Sequence, residues 1–323
     1  MSNIKSKPDA TLVIGAGELG MAMLGALTEP GRSAKGQSLS VLLRPLPTGE
    51  ASRSQKDLAD RLWKMGVEIV RADLAAETEE GLAAIFADFP TVICCTGFVG
   101  GSGTQRKITA AVLKARVERY VPWQFGVDYD IVGRGSGQEV FDEQSDVRDM
   151  LRAQTRTHWI IVSTGMFTSF LFEPSFGLVD LDHGRVHALG SWENRLTVTI
   201  PEDIGRLTTA ILAQEPPIDD AVVYVAGDTL SYAQLANTVE CFLGRPVERI
   251  LWSMAKLRSE VAAHPDDGMR KYHLAFARDT GVAWDKERTF NFAQGIPVTD
   301  VPTWLEKRAS CPSPAAPEAP VAA

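Results

Sequence analysis

An α/β fold, with a doubly wound parallel sheet and a smaller C-terminal α/β substrate lobe, is what the sequence predicts, and three observations predict it. An apolar run, three closely spaced glycines and an apolar helix follow one another between Thr11 and Leu27. Strand-like and helix-like segments then alternate as far as Ser163, the pattern of a parallel sheet with right-handed crossovers. Beyond that point the text turns to aromatic loops and short strands, which suits a second lobe. Length and composition allow this, because 323 residues with 45% hydrophobic and 23% charged content can build a sizeable core.

Leu12 to Ile14 read as the first strand, and Met21 to Leu27 as the first helix. Between them Gly15, Gly17 and Gly20 carry the G-x-G-x-x-G spacing of a dinucleotide site. Gly15 allows the sharp turn, Gly17 keeps a Cβ out of the path of a pyrophosphate, and Gly20 lets the helix pack on its strand. The cofactor's negative charge would sit on the helix N-terminus, with Glu18 and Leu19 counted among the binding residues. The second strand, Ser38 to Leu43, ends in Arg44, where an acidic residue would hold a ribose 2′-hydroxyl. A cation there favours a 2′-phosphate and hence NADP, with Arg53 and Lys56 as candidate second cations; the alternative is a solvated strand-end arginine.

Leu58, Leu62 and Met65 share one face of a helix from Ser54 to Met65. Val67 to Arg71 is a third strand, Glu77 to Phe89 a helix, and Thr91 to Cys95 a fourth, buried strand. It runs into Thr96-Gly97 and the glycine-rich 100–103 stretch, at the strand end where parallel sheets bind ligands. Gln105 to Arg116 is the next helix and Arg119 to Val121 the fifth strand.

Trp123 to Asp130 is then an aromatic loop, followed by the glycine-rich 133–137, a polar amphipathic helix from Phe141 to Gln154 and a sixth strand from Trp159 to Ser163. The aromatics of Met166 to Phe172 either pack a core or wall a pocket for an aromatic ligand. Gly184 to Val186 and Leu196 to Ile200 read as a strand pair, with a helix entered through Pro201-Glu202-Asp203. Val222 to Ala226, a helix from Ser231 to Leu243, and Val247 to Trp252 complete the smaller lobe. The expected organisation is a Rossmann-like NADP-binding domain over 1–165, to which later segments return, a substrate lobe over 166–309, and a disordered Pro/Ala-rich tail over 310–323.

A formal net charge of −8 argues against nucleic acid or anionic membrane as the main partner and leaves small-molecule chemistry. Cys94, Cys95, Cys241 and Cys311 lack metal-ligand spacing and read as reduced thiols, so no metal is expected. The first ten residues are polar, and no stretch reaches eighteen uninterrupted apolar residues, so a soluble cytoplasmic protein is expected.

Several of these marks occur together in one known family. They are Ile14 to Gly20, Leu42-Leu43-Arg44, Gln105 after Thr96-Gly97, Val121 to Gly126, Phe141 to Arg148, and Glu202 to Gly205, in that order. On them the chain resembles the NmrA-like, atypical short-chain dehydrogenase family, and within it the isoflavone reductase, phenylcoumaran benzylic ether reductase and pinoresinol-lariciresinol reductase branch. The Trp123-Gln124 version is similar to microbial members, bacterial pinoresinol reductases among them. The resemblance implies NADPH-dependent hydride transfer to a small aromatic substrate, with conversion of pinoresinol to lariciresinol through a quinone methide the best guess. It also implies cofactor contacts at Gly15, Gly17, Glu18, Leu19, Gly20, Arg44, Thr96, Gly97, Gln105, Trp123 and Phe125, and a substrate pocket at Trp123, Gly126, Met166, Phe167 and Phe170. A homodimer is the family expectation.

The plant enzymes of that branch carry a lysine in the helix that Phe141 begins, and aligning Phe141 and Arg148 places Gln144 there. Gln144 cannot act as a base, no lysine occurs from Arg116 to Ala255, and Tyr129 has Gly133 rather than lysine four residues on. Three explanations stand. Gln144 hydrogen-bonds the nicotinamide amide or the substrate; Tyr129, His158 or Asp128 supplies the proton; or the protein senses NADP(H) without turnover, as regulatory NmrA-like members do. Each candidate also has a structural reading: His158 as a capping or surface histidine, Tyr129 as a loop aromatic, Asp128 and Asp130 as turn-organising carboxylates. Arg148 and Arg152, like Asp142 and Asp146, lie one helical turn apart, so much of this helix reads as a solvated face; only one edge can face the cleft, and if Gln144 is on it, Val147, Arg148 and Leu151 are its neighbours.

Overall fold

The computed structural model describes residues 9–29, 38–46, 52–97, 101–278 and 280–310. The polar start at 1–8, Gly100, and 311–323 with Cys311 lie outside the described residues. The first half runs β1 (Ala10–Ile14), α1 (Glu18–Thr28), β2 (Ser38–Leu43), α2 (Arg53–Lys64), β3 (Glu68–Arg71), α3 (Glu79–Phe86), β4 (Thr91–Cys94), α4 (Thr104–Ala115) and β5 (Arg119–Val121). After α5 (Tyr129–Val132) and α6 (Glu139–Arg152) comes β6 (His158–Ser163). The second half contains β7 (Met166–Phe167), β8 (Val179–Asp180), β9 (Arg185–Leu189), β10 (Arg195–Thr199), α7 (Pro201–Leu212), β11 (Ala221–Tyr224), β12 (Asp228–Ser231), α8 (Tyr232–Leu243) and β13 (Glu248–Trp252). It closes with α9 (Met254–Ala263), α10 (Gly268–Phe276), α11 (Phe290–Ala293) and α12 (Val301–Ser310), so Ser310 ends a helix rather than opening the tail.

Seven strands form one parallel sheet in the order β11-β6-β5-β4-β1-β2-β3, reversing direction at β1 and β4. The fold is Rossmann-like. Both faces of the sheet are covered, so its central strands are apolar runs rather than alternations. Leu12 and Ile14 pack with Phe86, Ile108 and Val112 on one face, and Val13 packs with Met23, Leu24 and Ile204 on the other. α7 returns from the second half to lie along α1, and Gly205 makes this possible, because a Cβ there would stand 2.6 Å from the Ala22 carbonyl oxygen. Ser52 and Ser231 start α2 and α8 with capping boxes completed by Gln55 and Gln234.

The remaining strands form two three-stranded sheets, β12-β10-β7 and β13-β9-β8. The expected pairing of 184–186 with 196–200 is therefore corrected, since β9 and β10 belong to different sheets. The chain turns between them at Gly190, whose φ of +78° is left-handed, and Asn194 donates to the Leu189 carbonyl at 3.1 Å. β9 is left free to pair in parallel with β13, and β10 antiparallel with β12. Among the described residues no helix is long and apolar enough to cross a membrane, and no cluster of His, Cys, Asp and Glu could hold a metal ion.

Candidate functional site

The three glycines of the β1–α1 turn do different jobs. Gly15 has a φ of +92° and donates its N–H to the Leu42 carbonyl at 3.0 Å, which turns the chain at the strand end. Gly20 lies so close under the turn that a Cβ would meet the Gly15 carbonyl oxygen at 2.1 Å. At Gly17 a Cβ would meet nothing within 4 Å, so the space beside its backbone is open. Leu19, counted among the cofactor residues, points its side chain into the core against Met23 and Ile204, so only its backbone can serve a ligand.

A groove of about 320 Å³ runs from this turn across the sheet, lined by Gly15, Gly17, Arg44, Ala72, Thr96 and Gly97. The Arg44 guanidinium is exposed, its Nε 3.7 Å from Asp73 Oδ2, and Arg44 also borders an adjoining groove of about 530 Å³. The second guanidinium lining that groove is Arg71, whose Nη1 donates to the Arg44 carbonyl at 2.9 Å. Arg53 and Lys56, the expected second cations, are exposed on α2 and line neither groove. A turn with no Cβ in the way, a helix N-terminus and an exposed strand-end guanidinium fit a dinucleotide with a 2′-phosphate.

Gln105 does not face the groove. It is buried, and its Nε2 donates to the carbonyls of Thr96 (2.9 Å) and Gly97 (2.8 Å), so it braces the loop that forms the groove wall. Glu143, which the sequence reading missed, reaches from α6 to accept the N–H groups of Gly103, Gln105 and Arg106 and so caps α4 from another element.

Beyond Trp123, packed so closely on Gly97 that a Cβ there would come within 3.2 Å of its ring, a second cavity of about 410 Å³ opens. Trp123, Gly126, Met166, Phe167 and Phe170, the residues expected of an aromatic pocket, line it, and so does Phe125, which was expected on the cofactor and lines this cavity instead of the groove. Phe141, Met269, Tyr272 and Phe276 line it too, and three of these come from α10, an element with no motif to announce it. The rings meet edge to face, Tyr129 with Phe141 at 5.2 Å and Phe141 with Tyr272 at 5.9 Å. Two carboxylates, Glu18 and Glu173, complete the lining.

Of the proton-handling candidates, Tyr129 alone lies on this cavity. Burial and the neighbouring Tyr272 push its phenol up, and the Arg148 guanidinium 5.3 Å from its ring centroid offsets only part of that. Gln144 is fully buried behind the wall. Gln124 Nε2 donates to its carbonyl at 2.7 Å and to its Oε1 at 3.2 Å, while Gln124 Oε1 accepts from Arg148 Nε at 2.8 Å. The cleft-edge placement of Gln144 is thereby corrected, and Arg148 supplies the reason. Its guanidinium is 1% exposed and pairs with Asp128 (3.3 Å) and Asp130 (2.6 Å), so the edge that Gln144 shares with Val147, Arg148 and Leu151 faces the protein interior rather than the open cleft.

Asp128 accepts N–H groups from Asp130 and Ile131 and the Tyr224 hydroxyl at 2.6 Å, so its lone pairs are committed to structure. Asp130 binds Arg152 and Arg148 rather than backbone amides, and its carboxyl is held down at about 2, chiefly by the Arg152 hydrogen bond. His158 opens β6 at the end of the sheet away from the cleft, exposed and 3.2 Å from Asp220, so its catalytic assignment is withdrawn. Ligands of a parallel sheet sit at the opposite, C-terminal ends of its strands.

Comparison with known proteins bears on the family and the fold. A model of the NmrA-like family matches residues 8–275. An NmrA-like family domain-containing oxidoreductase of Gibberella moniliformis (strain M3125 / FGSC 7600) is 44% identical over 300 residues, covering 92% of this chain and 97% of that protein. Among solved structures, an isoflavone reductase is similar with a TM-score of 0.75 at 19% identity, covering 93% of this chain and 99% of its own. AtPrR2 with NADP+ and (+)pinoresinol is similar with a TM-score of 0.72 at 17% identity, covering 93% and 98%.

Proposed function

The chain belongs to the NmrA-like family, and from that premise we propose that it is an NADPH-dependent cytoplasmic reductase of small aromatic acceptors, with pinoresinol-type benzylic ethers the first substrate class to try. One observation carries the reading: a cavity walled by aromatic rings opens directly beside the glycine turn, with Trp123 at the seam between groove and cavity. The fungal relative's description as an oxidoreductase and the NADP+ and (+)pinoresinol held by AtPrR2 support it. Bound NADPH would supply a hydride.

The chain's own residues do the rest. Gly17 and the first turn of α1 would seat the pyrophosphate, and Arg44 would pair with the 2′-phosphate. Trp123, Phe125 and Phe167 exclude water and hold the acceptor ring at the reacting face. The test is to incubate the pure protein with NADPH and racemic pinoresinol, and separately with a panel of lignans and aromatic ketones, following cofactor loss and product mass. Turnover of at least one is expected; no consumption with any would overturn the reading. A second reading, an NADP(H) sensor without turnover, is favoured by the burial of Gln144 at the family's lysine position. It requires cofactor affinity with no hydride transfer.

A further inference from the structure

Reduction of a C–O bond by hydride needs one proton on oxygen, and the groups first considered for it do not serve. His158 is at the wrong end of the sheet, Gln144 does not titrate, and Asp128 is committed to two amides and a hydroxyl. Tyr129 faces the cavity, but burial raises the cost of the phenolate it would become. Two carboxyl groups remain on the cavity wall, Glu18 and Glu173. Glu173 follows the 3-10 turn at 168–172 and accepts a hydrogen bond from Ser175 Oγ at 3.2 Å. Glu18 is the first residue of α1, next to the open backbone of Gly17, and borders the same cavity as Trp123, Gly126 and Met166.

We propose that the Glu18 carboxyl is the acid that protonates the substrate oxygen during reduction. This rests on the reductase reading above. In the step, the substrate carbon takes the hydride of NADPH while the C–O electron pair, from a carbonyl or a breaking benzylic ether, goes to oxygen. That oxygen takes the Glu18 proton, and the Glu18 carboxylate is reprotonated from water, so each turnover consumes one hydride and one proton. Position suits the role, because the residue beside the pyrophosphate turn is also on the acceptor's wall.

Its surroundings suit it as well. Partial desolvation, and then the negative charge of Glu202 on α7, raise the Glu18 carboxyl above its ordinary range. The other charged groups on that side are Arg206 of α7, Arg61 of α2 and Glu29 after α1, and across the cavity stand Glu173 and the phenols of Tyr129 and Tyr272. Arg206 is engaged by Asp203 and the Pro297 carbonyl, which blunts its pull on Glu18. A pyrophosphate at Gly17 adds negative charge beside Glu18 and shifts it further in the same direction.

The test uses Glu18→Gln, with Glu173→Gln as the comparison, and two readouts. For an accepted substrate, kcat of the wild type should fall as pH rises through the raised Glu18 pKa. Glu18→Gln should lower kcat on the order of 10²-fold and abolish that limb, while Glu173→Gln keeps it. Independently of turnover, NADP+ binding measured calorimetrically in buffers of different ionisation enthalpy should show proton uptake in the wild type and none in Glu18→Gln. A Glu18→Gln protein with wild-type kcat and the same limb overturns the proposal and leaves the reductase reading intact. Absence of proton uptake in the wild type overturns it even if no acceptor is turned over, whereas failure of the whole acceptor panel with uptake present overturns the reductase reading and, with it, the catalytic role of Glu18.

Discussion

Replacing Gly17 with alanine separates what the glycine turn does for a ligand from what it does for the fold. The backbone at Gly17, φ −72° and ψ −164°, is open to any residue, and no atom lies within 4 Å of where the methyl group would go. Folding should therefore change little, the gain of about 0.4–1 kcal/mol from the lost freedom of the unfolded chain being offset because alanine is a poorer N-cap of α1 than glycine. A pyrophosphate approaching this backbone would meet the methyl, an overpacking cost of about 1–3 kcal/mol, which corresponds to roughly 5- to 150-fold in Kd. Gly20→Ala is the control, because its methyl would stand 2.1 Å from the Gly15 carbonyl oxygen, a backbone atom that can yield only by moving the turn. It should lose stability as well as affinity. Thermal denaturation and NADPH titration by fluorescence measure both. A Gly17→Ala protein that binds NADPH like the wild type, or that loses as much Tm as Gly20→Ala, would refute the assignment.

Two further predictions concern charge. Arg44→Ala should weaken NADPH against NADH by roughly 10- to 150-fold, the equivalent of one charge-assisted hydrogen bond worth about 1.5–3 kcal/mol; equal losses for both cofactors in the same titration would place the 2′-phosphate elsewhere. Asp130 titrates at about 2 in the folded chain and near 3.9 when unfolded. Because the folded value is the lower one, its contribution is full above the unfolded value and is lost as pH falls through about 2. The Tm advantage of the wild type over Asp130→Asn should therefore be constant near neutrality and shrink between pH ~4 and ~2; an advantage that persists undiminished at the acid end would contradict the ion-pair assignment.

The nucleotide half was legible because local physics writes it locally. Apolar runs such as Leu12 to Ile14, positive-φ glycine at Gly15 and a cation ending β2 are each spelled within a few residues. For His158 the surface reading holds and the catalytic one does not, and its position held the answer, since a residue that opens a parallel strand lies at the end away from the ligand. On α6 the inward edge was legible from helical spacing, but not what buries Arg148 on it, because its partners Asp128 and Asp130 lie eighteen to twenty positions earlier. The cavity wall was half legible. Phe167 and Phe170 sit in an obvious aromatic run, whereas Tyr272 and Phe276 arrive from a helix about a hundred residues later, and no local pattern connects the two. Glu18 was visible as part of the glycine motif, but its place on the wall of the aromatic cavity required the fold.

The most direct test of the account is label transfer. NADPH carrying deuterium at its transferable nicotinamide position, incubated with the protein and an accepted benzylic ether, should deliver one deuterium to the benzylic carbon of the reduced product. Loss of NADPH with no label in any product, or NADPH binding with no reaction across the panel, would contradict the claim that groove and aromatic cavity form one hydride-transfer site.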